Sequence, residues 1–179
     1  MRLRLLLFIL LIYQYGNSQS TFYSFKLDSL EGGKIIDFAA FRGKNILIVN
    51  TASGDTAAGQ YNELIQLKQL YMDSLIIVAV PTNSFDSETG VTGALNAFYV
   101  QNANWHFPVS ARLSVAGNST NELFQWLSQA SRNKIMDAKV LTPFQKYLIN
   151  RRGELVGVYS AHIRPLSVEL RNAIKNAYQ

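Results

Sequence analysis

Asp55 is the residue whose position most suggests chemistry. It follows the apolar run at residues 46–49 and a turn rich in Ser, Thr and Gly, and an amphipathic segment begins at Tyr61. This order predicts a buried strand, a tight turn and a helix start. In open α/β sheets, ligands bind at this place, outside the carboxyl end of a strand. Backbone N–H groups and the positive helix end suit it to an anion or a thiolate.

The chain contains no cysteine. This excludes thiol redox chemistry, disulfides, thiolate metal ligands and a lipid anchor attached through cysteine. Asp55 can therefore hold a negative charge at the turn, but it cannot be oxidised and reduced as a thiol can.

Two interpretations of Asp55 follow from its position. In the first, its carboxylate caps the first turn of a helix and has only a structural role. In the second, it acts as a general base or a metal ligand together with Ser84, Asp86 or Glu88. Neither histidine has a suggestive spacing, so no metal site and no cofactor are predicted.

Residues 1–20 have the pattern of a secretory signal peptide. Arg2 and Arg4 border a short apolar run, and small and polar residues follow at 14–20. The run is too short to span a membrane, which needs about 20 apolar residues. The protein is therefore expected to be exported, to the periplasm or the extracellular space, with no membrane contact once the signal is removed.

The mature part, residues 21–179, is expected to form one domain. Removing residues 1–20 takes away two of the 17 basic residues and none of the 12 acidic ones, which leaves a net charge of +3. A charge this modest, without a long basic run, excludes a nucleic-acid-binding surface.

Strand and helix signals alternate along the first half of the mature chain. A β-hairpin is predicted between residues 22 and 36, and a βαβ unit follows with strands at 45–50 and 75–80. The helix between these strands is expected to bury one face, formed by Tyr61, Leu64, Ile65, Tyr71 and Met72.

The second half continues the α/β pattern. The predicted elements, in chain order, are a helix at 91–100, an edge segment around Val109, a helix opened by a capping box at 119–122, a loop at 128–139, a hairpin of strands 146–150 and 154–159, and a helix opened by Pro165. Together these signals predict an α/β fold with an N-terminal β-hairpin and a mixed central sheet flanked by helices on both faces. Thioredoxin-like folds have this order of elements.

Short motifs spread over residues 22–177 carry a family resemblance. They are Phe22-Tyr23-Ser24-Phe25, Arg42-Gly43-Lys44, Leu47-Ile48-Val49-Asn50-Thr51-Ala52-Ser53, Gln60-Tyr61-Asn62-Glu63-Leu64, Pro81-Thr82-Asn83-Ser84-Phe85, Phe107-Pro108-Val109, Leu123-Phe124-Gln125-Trp126-Leu127 and Phe144-Gln145-Lys146-Tyr147-Leu148. Each motif alone is weak, but in this order and spacing they make the chain resemble the glutathione peroxidase family. The resemblance implies a thioredoxin-like fold and a family role in peroxide reduction and the response to oxidative stress.

The resemblance also implies where the family's four catalytic residues would stand. A peroxidatic Cys or selenocysteine corresponds to Asp55, a Gln to Ser84, a Trp to Thr142 and an Asn to Pro143. Thr82 stands where many members have a second, resolving Cys. The chain is therefore expected to be a degenerate member that has lost thiol peroxidase activity.

A binding or interaction role is the leading expectation for such a member. The candidate binding residues are Asp55, Thr56, Asn83 and Ser84, and the expected partner is a small anion, a peptide or a protein. Two alternatives stay open, a non-redox enzyme that uses the Asp55 carboxylate and a purely structural module. The short connection between residues 127 and 140 lacks the insert of tetrameric family members, which favours a monomer.

Overall fold

The structure is a computed structural model, and it describes residues 21–86 and 107–178. The expected signal segment 1–20 and the expected helix at 91–100 lie outside the described residues. Within them, none of the helices has the length and apolar character needed to cross a membrane.

A two-stranded antiparallel hairpin comes first. Strand β1 (Lys26–Asp28) pairs with β2 (Ile35–Asp37), and Leu27 stands opposite Ile36. Both of these apolar side chains are buried, whereas the turn residues between the strands are mostly exposed. The predicted N-terminal hairpin is confirmed.

The central sheet has four strands in the order β4-β3-β5-β6. Strand β3 (Asn45–Thr51) lies parallel to β4 (Leu75–Pro81), and helix α1 (Gln60–Tyr71) connects them, as expected for a βαβ unit. Strand β5 (Lys146–Ile149) pairs antiparallel with β3, and β6 (Leu155–Tyr159) pairs antiparallel with β5. The sheet is therefore mixed, as the sequence predicts.

Helices cover both faces of this sheet. Along β3, Ile46 and Ile48 point to one face, where α2 (Glu122–Ser128) packs. Leu47 and Val49 point to the other, where α1 and α4 (Val168–Asn176) pack. Because both faces are covered, β3 is buried at every position, which explains its continuous apolar run.

The buried face of α1 differs from the prediction at its end. Gln60, Tyr61, Leu64 and Leu67 are buried, but Met72 is 72% exposed. The helix ends at residue 71 and the backbone of Met72 takes a φ of 42°, so its side chain leaves the apolar face.

Helix α2 begins with a different cap from the predicted capping box. Asn121 is the N-cap, and its side-chain oxygen accepts a hydrogen bond from the Leu123 amide at 3.0 Å. The Ser119 hydroxyl instead bonds the Ser114 hydroxyl at 3.2 Å. Glu122 is then the first helical residue, too early in the helix to complete a capping box.

Two further elements have boundaries that differ from the predicted ones. The segment expected to be a loop at 128–139 contains a one-turn helix, α3 (Ala130–Asn133). The buried Asn133 amide group closes it by donating to the Trp126 and Met136 carbonyls. The last helix begins at Val168 rather than at Pro165, because Ser167 caps it.

One lysine lies inside the core. Lys146 of β5 is 0% exposed and faces the α1 and α4 side, like Leu148 two residues later. Its ammonium group donates to the Phe144 carbonyl at 2.8 Å. Burial lowers the pKa of Lys146 to about 7, while the Glu63 carboxylate raises it and the Arg164 guanidinium lowers it by smaller amounts.

The buried amine predicts a pH-dependent stability. Because the folded-state pKa of Lys146 is lowered, the unfolded chain binds more protons between pH 7 and pH 10, and stability rises with pH in that range. Relative to Lys146→Met, the free energy of unfolding of the wild type should rise by about 2 kcal/mol from pH 7 to pH 9. Urea unfolding at both pH values measures this difference. The exposed Lys175→Met controls for the loss of one lysine, and parallel pH profiles of the wild type and Lys146→Met would contradict the prediction.

Candidate functional site

Asp55 lies just beyond the carboxyl end of β3, before a short 3₁₀ helix, Thr56–Gly59, that leads into α1. Its carboxylate accepts a hydrogen bond from the Ala57 amide at 2.8 Å, and its carbonyl accepts one from the Ala58 amide at 2.9 Å. Its backbone is extended, with φ −80° and ψ 148°. Asp55 is therefore the N-cap of this helix, the first of the two interpretations of its role.

Ser84 lies on the segment after β4 and is held by three hydrogen bonds. The hydroxyl of the buried Thr82 donates to the Ser84 hydroxyl and accepts from the Ser84 amide, both at 3.1 Å. The Val115 amide also donates to the Ser84 hydroxyl, at 3.0 Å. Both lone pairs of the Ser84 oxygen are thus occupied, and the side chain ties the end of β4 to a segment 31 residues away.

The segment that carries Thr142 and Pro143 is fixed to the end of β3. The Asn50 side-chain amide donates to the Thr142 carbonyl at 2.9 Å, and the Phe144 amide donates to the Asn50 carbonyl at 2.6 Å. Thr142 is exposed and Pro143 is buried. The described residues contain no cis peptide bond, so the Thr142–Pro143 bond is trans.

Phe144 has a backbone conformation that is rare for an L residue, with φ 60°. Such a conformation costs of order 1–3 kcal/mol and persists only where surrounding contacts enforce it. The Lys146 ammonium binds its carbonyl, and its ring meets the Tyr61 ring edge-on at 5.1 Å between centroids. These contacts join the Thr142–Phe144 segment to both β5 and α1.

The sequence does not predict that Lys146 holds this segment through the Phe144 carbonyl. The one indication in the sequence is a charged residue in a strand whose other inward positions are apolar. The sequence alone does not show whether such an amine is buried or reaches solvent. Its fixation of the Phe144 carbonyl depends on the fold.

The predicted site residues are not joined into a catalytic group. Among the described residues, the Asp55 carboxylate has a hydrogen bond only to the Ala57 amide, and neither Ser84 nor Thr142 contacts it by a hydrogen bond. Thr56 and Asn83 are exposed at the same edge of the sheet, and Asp86 is exposed with a φ of 55°. Glu88 lies outside the described residues.

The neighbouring surface offers space but few reactive groups. A cavity of about 400 Å³ adjoins the segment before Thr142, and its lining includes Val115, Gln125, Lys139 and the exposed Leu141. Asp55 and Ser84 do not line this cavity. Within residues 21–86 and 107–178, no three His, Asp or Glu side chains come close enough to hold a metal ion.

Comparison with known proteins identifies the scaffold. The model of the glutathione peroxidase family matches residues 22–128. A glutathione peroxidase-like peroxiredoxin of Chlamydomonas reinhardtii is 32% identical over 149 residues, which cover 82% of this chain and 91% of the relative.

Solved structures agree with the observed topology. The apo structure of Trgpx superimposes with a TM-score of 0.64 at 27% identity, over 86% of this chain and 95% of that one. A thioredoxin-family thiol:disulfide interchange protein of Chlorobium tepidum has a TM-score of 0.63 at 13% identity, over 87% and 93% of the two chains, and shows the fold alone. The fold is thioredoxin-like, and the chain belongs to the glutathione peroxidase family.

Proposed function

We propose that this protein is an exported member of the glutathione peroxidase family that no longer reduces peroxides by thiol chemistry and has a binding role. The observation that carries the proposal is that a cysteine-free chain has Asp55 at the position of the family's nucleophile, where its carboxylate caps a helix. The relatives are named as peroxidases and peroxiredoxins, so the framework is that of an enzyme family. The substitutions at Asp55, Ser84, Thr142 and Pro143 are at the positions where the resemblance implies the family's catalytic residues.

The family reaction needs a sulfur or selenium nucleophile. A thiolate attacks one peroxide oxygen, the S–O bond forms as the O–O bond breaks, and the resulting sulfenic acid is later reduced by thiols. A carboxylate has no corresponding oxidised state that thiols return to the starting form. The first step of the cycle therefore has no reactant in this chain.

The other three positions also lack the groups that would support such a step. The Ser84 hydroxyl accepts two hydrogen bonds within the fold, and the side chains of Thr142 and Pro143 contain no indole or amide N–H group. Restoring a thiol at position 55 alone would leave it without these donors.

A binding role is supported by the polar groups that remain at the edge of the sheet. Thr56, Asn83 and Thr142 are exposed there, around the half-buried Asp55 carboxylate. That negative charge disfavours a second anion, so a peptide or protein that presents N–H donors fits this edge better than a free anion. Export rests on the basic and apolar pattern of residues 1–20.

We expect no peroxidase turnover. The protein should consume hydrogen peroxide and cumene hydroperoxide no faster than buffer does, with either glutathione or thioredoxin as the reductant. An NADPH-coupled assay measures this, with the Chlamydomonas relative as the positive control. Thiol-dependent turnover well above the buffer rate would refute the proposed loss of activity.

The capping role of Asp55 predicts a difference between two substitutions. Asp55→Ala removes the acceptor of the Ala57 amide and should lower the free energy of unfolding by about 1 kcal/mol. Asp55→Asn keeps a side-chain oxygen there and should cost much less, since Asn and Asp cap helices about equally well. Urea unfolding of both variants tests this, and equal losses would show that charge rather than capping is what the site needs.

The same Asn variant separates the alternatives. If a hydrolytic or other non-redox activity is found in the wild type and Asp55→Asn abolishes it while the fold is intact, Asp55 is a general base and the binding proposal is wrong. If a thermal-shift screen with peptides, thiols and anions finds no ligand that stabilises the edge around Thr56, the structural module is favoured instead.

A further inference from the structure

A second cavity lies at the other end of the central sheet. It has a volume of about 460 Å³ and lies between the β5–β6 hairpin and α4. Strand β5 runs antiparallel to β3, so Lys146 stands beside Val49 near the Asp55 turn, whereas Ile149 stands beside Ile46 at the opposite end. The hairpin turn at 150–153, three of whose residues line the cavity, therefore lies at the end of the sheet opposite the Asp55 turn.

Apolar side chains form part of its wall. Leu148 of β5 and Ala173 and Ala177 of α4 line it. Opposite Leu148, β6 has Gly157, and a Cβ atom built there would lie 2.5 Å from the Tyr159 hydroxyl oxygen. The Tyr159 side chain, which also lines the cavity, is thus folded back along its own strand.

A charged hydrogen-bond donor is also present in this wall. The Arg151 guanidinium stacks on the Tyr178 ring, 4.3 Å from its centroid, and has no acidic partner among the described residues. Arg152, by contrast, is paired with Glu154 at 2.9 Å.

The position of Arg151 is fixed by more than its side chain. The Tyr23 hydroxyl donates to the Arg151 carbonyl at 2.7 Å, which ties the hairpin turn to the N-terminal part of the chain. The guanidinium is therefore presented by an anchored backbone and stacked on a ring, an arrangement that loses little side-chain entropy when an anion binds.

We propose that this cavity binds a small organic carboxylate with an apolar body. The carboxylate group would accept hydrogen bonds from Arg151, and the body would lie over Ala173 and Ala177. The volume lies within the range of small-molecule sites, and the mixture of an apolar wall with few polar groups is typical of them.

The surrounding charges limit which ligand fits. Burial and, to a smaller extent, the Glu169 carboxylate on the first turn of α4 raise the pKa of Tyr159. Glu154 is paired with Arg152, so acidic groups stand on two sides of the cavity. The carboxyl end of α4 adds partial negative charge. An inorganic anion held by charge alone would meet this repulsion, whereas a monocarboxylate gains from apolar contact as well.

A titration with phenylacetate and hexanoate, followed by amide NMR, tests the proposal. Shifts should concentrate at Gly157, Ala173 and Ala177 and saturate at millimolar concentrations. Phenylacetamide and 1-hexanol, which lack the charge, should bind at least about tenfold more weakly. Arg151→Gln should weaken the binding of both carboxylates by about the same factor. Arg152→Gln should not weaken it, because the Arg152 side chain is already paired with Glu154.

Other outcomes would overturn the inference. Three results would show that Arg151 only complements the last carbonyls of α4. They are the absence of saturable shifts up to about 10 mM ligand, carboxylate binding by Arg151→Gln that is as strong as that of the wild type, and shifts with sodium chloride that are as large as those with the carboxylates. Ala173→Leu is a second variant for this test. It fills part of the cavity without changing the charge, so it should weaken the binding of both carboxylates. Asp55→Asn should leave binding unchanged, so this test is independent of the proposed role of the catalytic edge.

Discussion

The hydrogen bonds between the end of β3 and the Thr142–Phe144 segment are the constraint on which the candidate site depends. Asn50 holds this segment through its side chain and its carbonyl, and the Phe144 backbone reaches its unusual φ only because of these bonds and the Lys146 ammonium. Asn50 is fully buried in a strand covered on both faces, so it cannot move without disturbing the sheet. The Thr142–Phe144 segment is therefore fixed to the core of the protein.

These hydrogen bonds hold the scaffold together whether or not the family reaction takes place. A thiol peroxidase needs reactive groups placed at the carboxyl edge of β3, and here the groups at that edge have structural partners. Asp55 binds the Ala57 amide, and Ser84 binds Thr82 and Val115. The Asp55 and Ser84 side chains thus have hydrogen-bond partners within the protein, and a polar group that is already paired gains little from a ligand.

Much of the fold could be predicted from the sequence because its signals are local. The continuous apolar runs of β3 and β4 follow from burial on both faces, and the spacing within α1 follows from a single buried face. The predictions fail at the ends of helices, where neighbouring residues compete for the capping position and the backbone can change direction. Asn121 rather than Ser119 caps α2, and the positive φ of Met72 turns its side chain outward.

In the candidate site, too, some features could be predicted from the sequence and others could not. The position of Asp55 at a helix start could be predicted from the strand–turn–helix pattern around it. The engagement of Ser84 could not, because its partner Val115 is brought near only by the packing of the segment after β4. Nor could the burial of Lys146, since a lysine in a strand can equally extend its amine to water.

The two ends of the sheet differ in the charged groups that they present. At the Asp55 end, the Asp55 carboxylate binds the Ala57 amide, and Thr56 and Asn83 are exposed. The buried side-chain oxygens of Asn50 and Gln60 have no hydrogen-bond partner among the described residues. At the hairpin end, Arg151 is stacked but has no acidic partner among the described residues, and it lines a cavity with an apolar wall. A guanidinium without an acidic partner can form charge-assisted hydrogen bonds with a carboxylate ligand. The proposed carboxylate ligand would thus bind at the hairpin end of the sheet, away from Asp55.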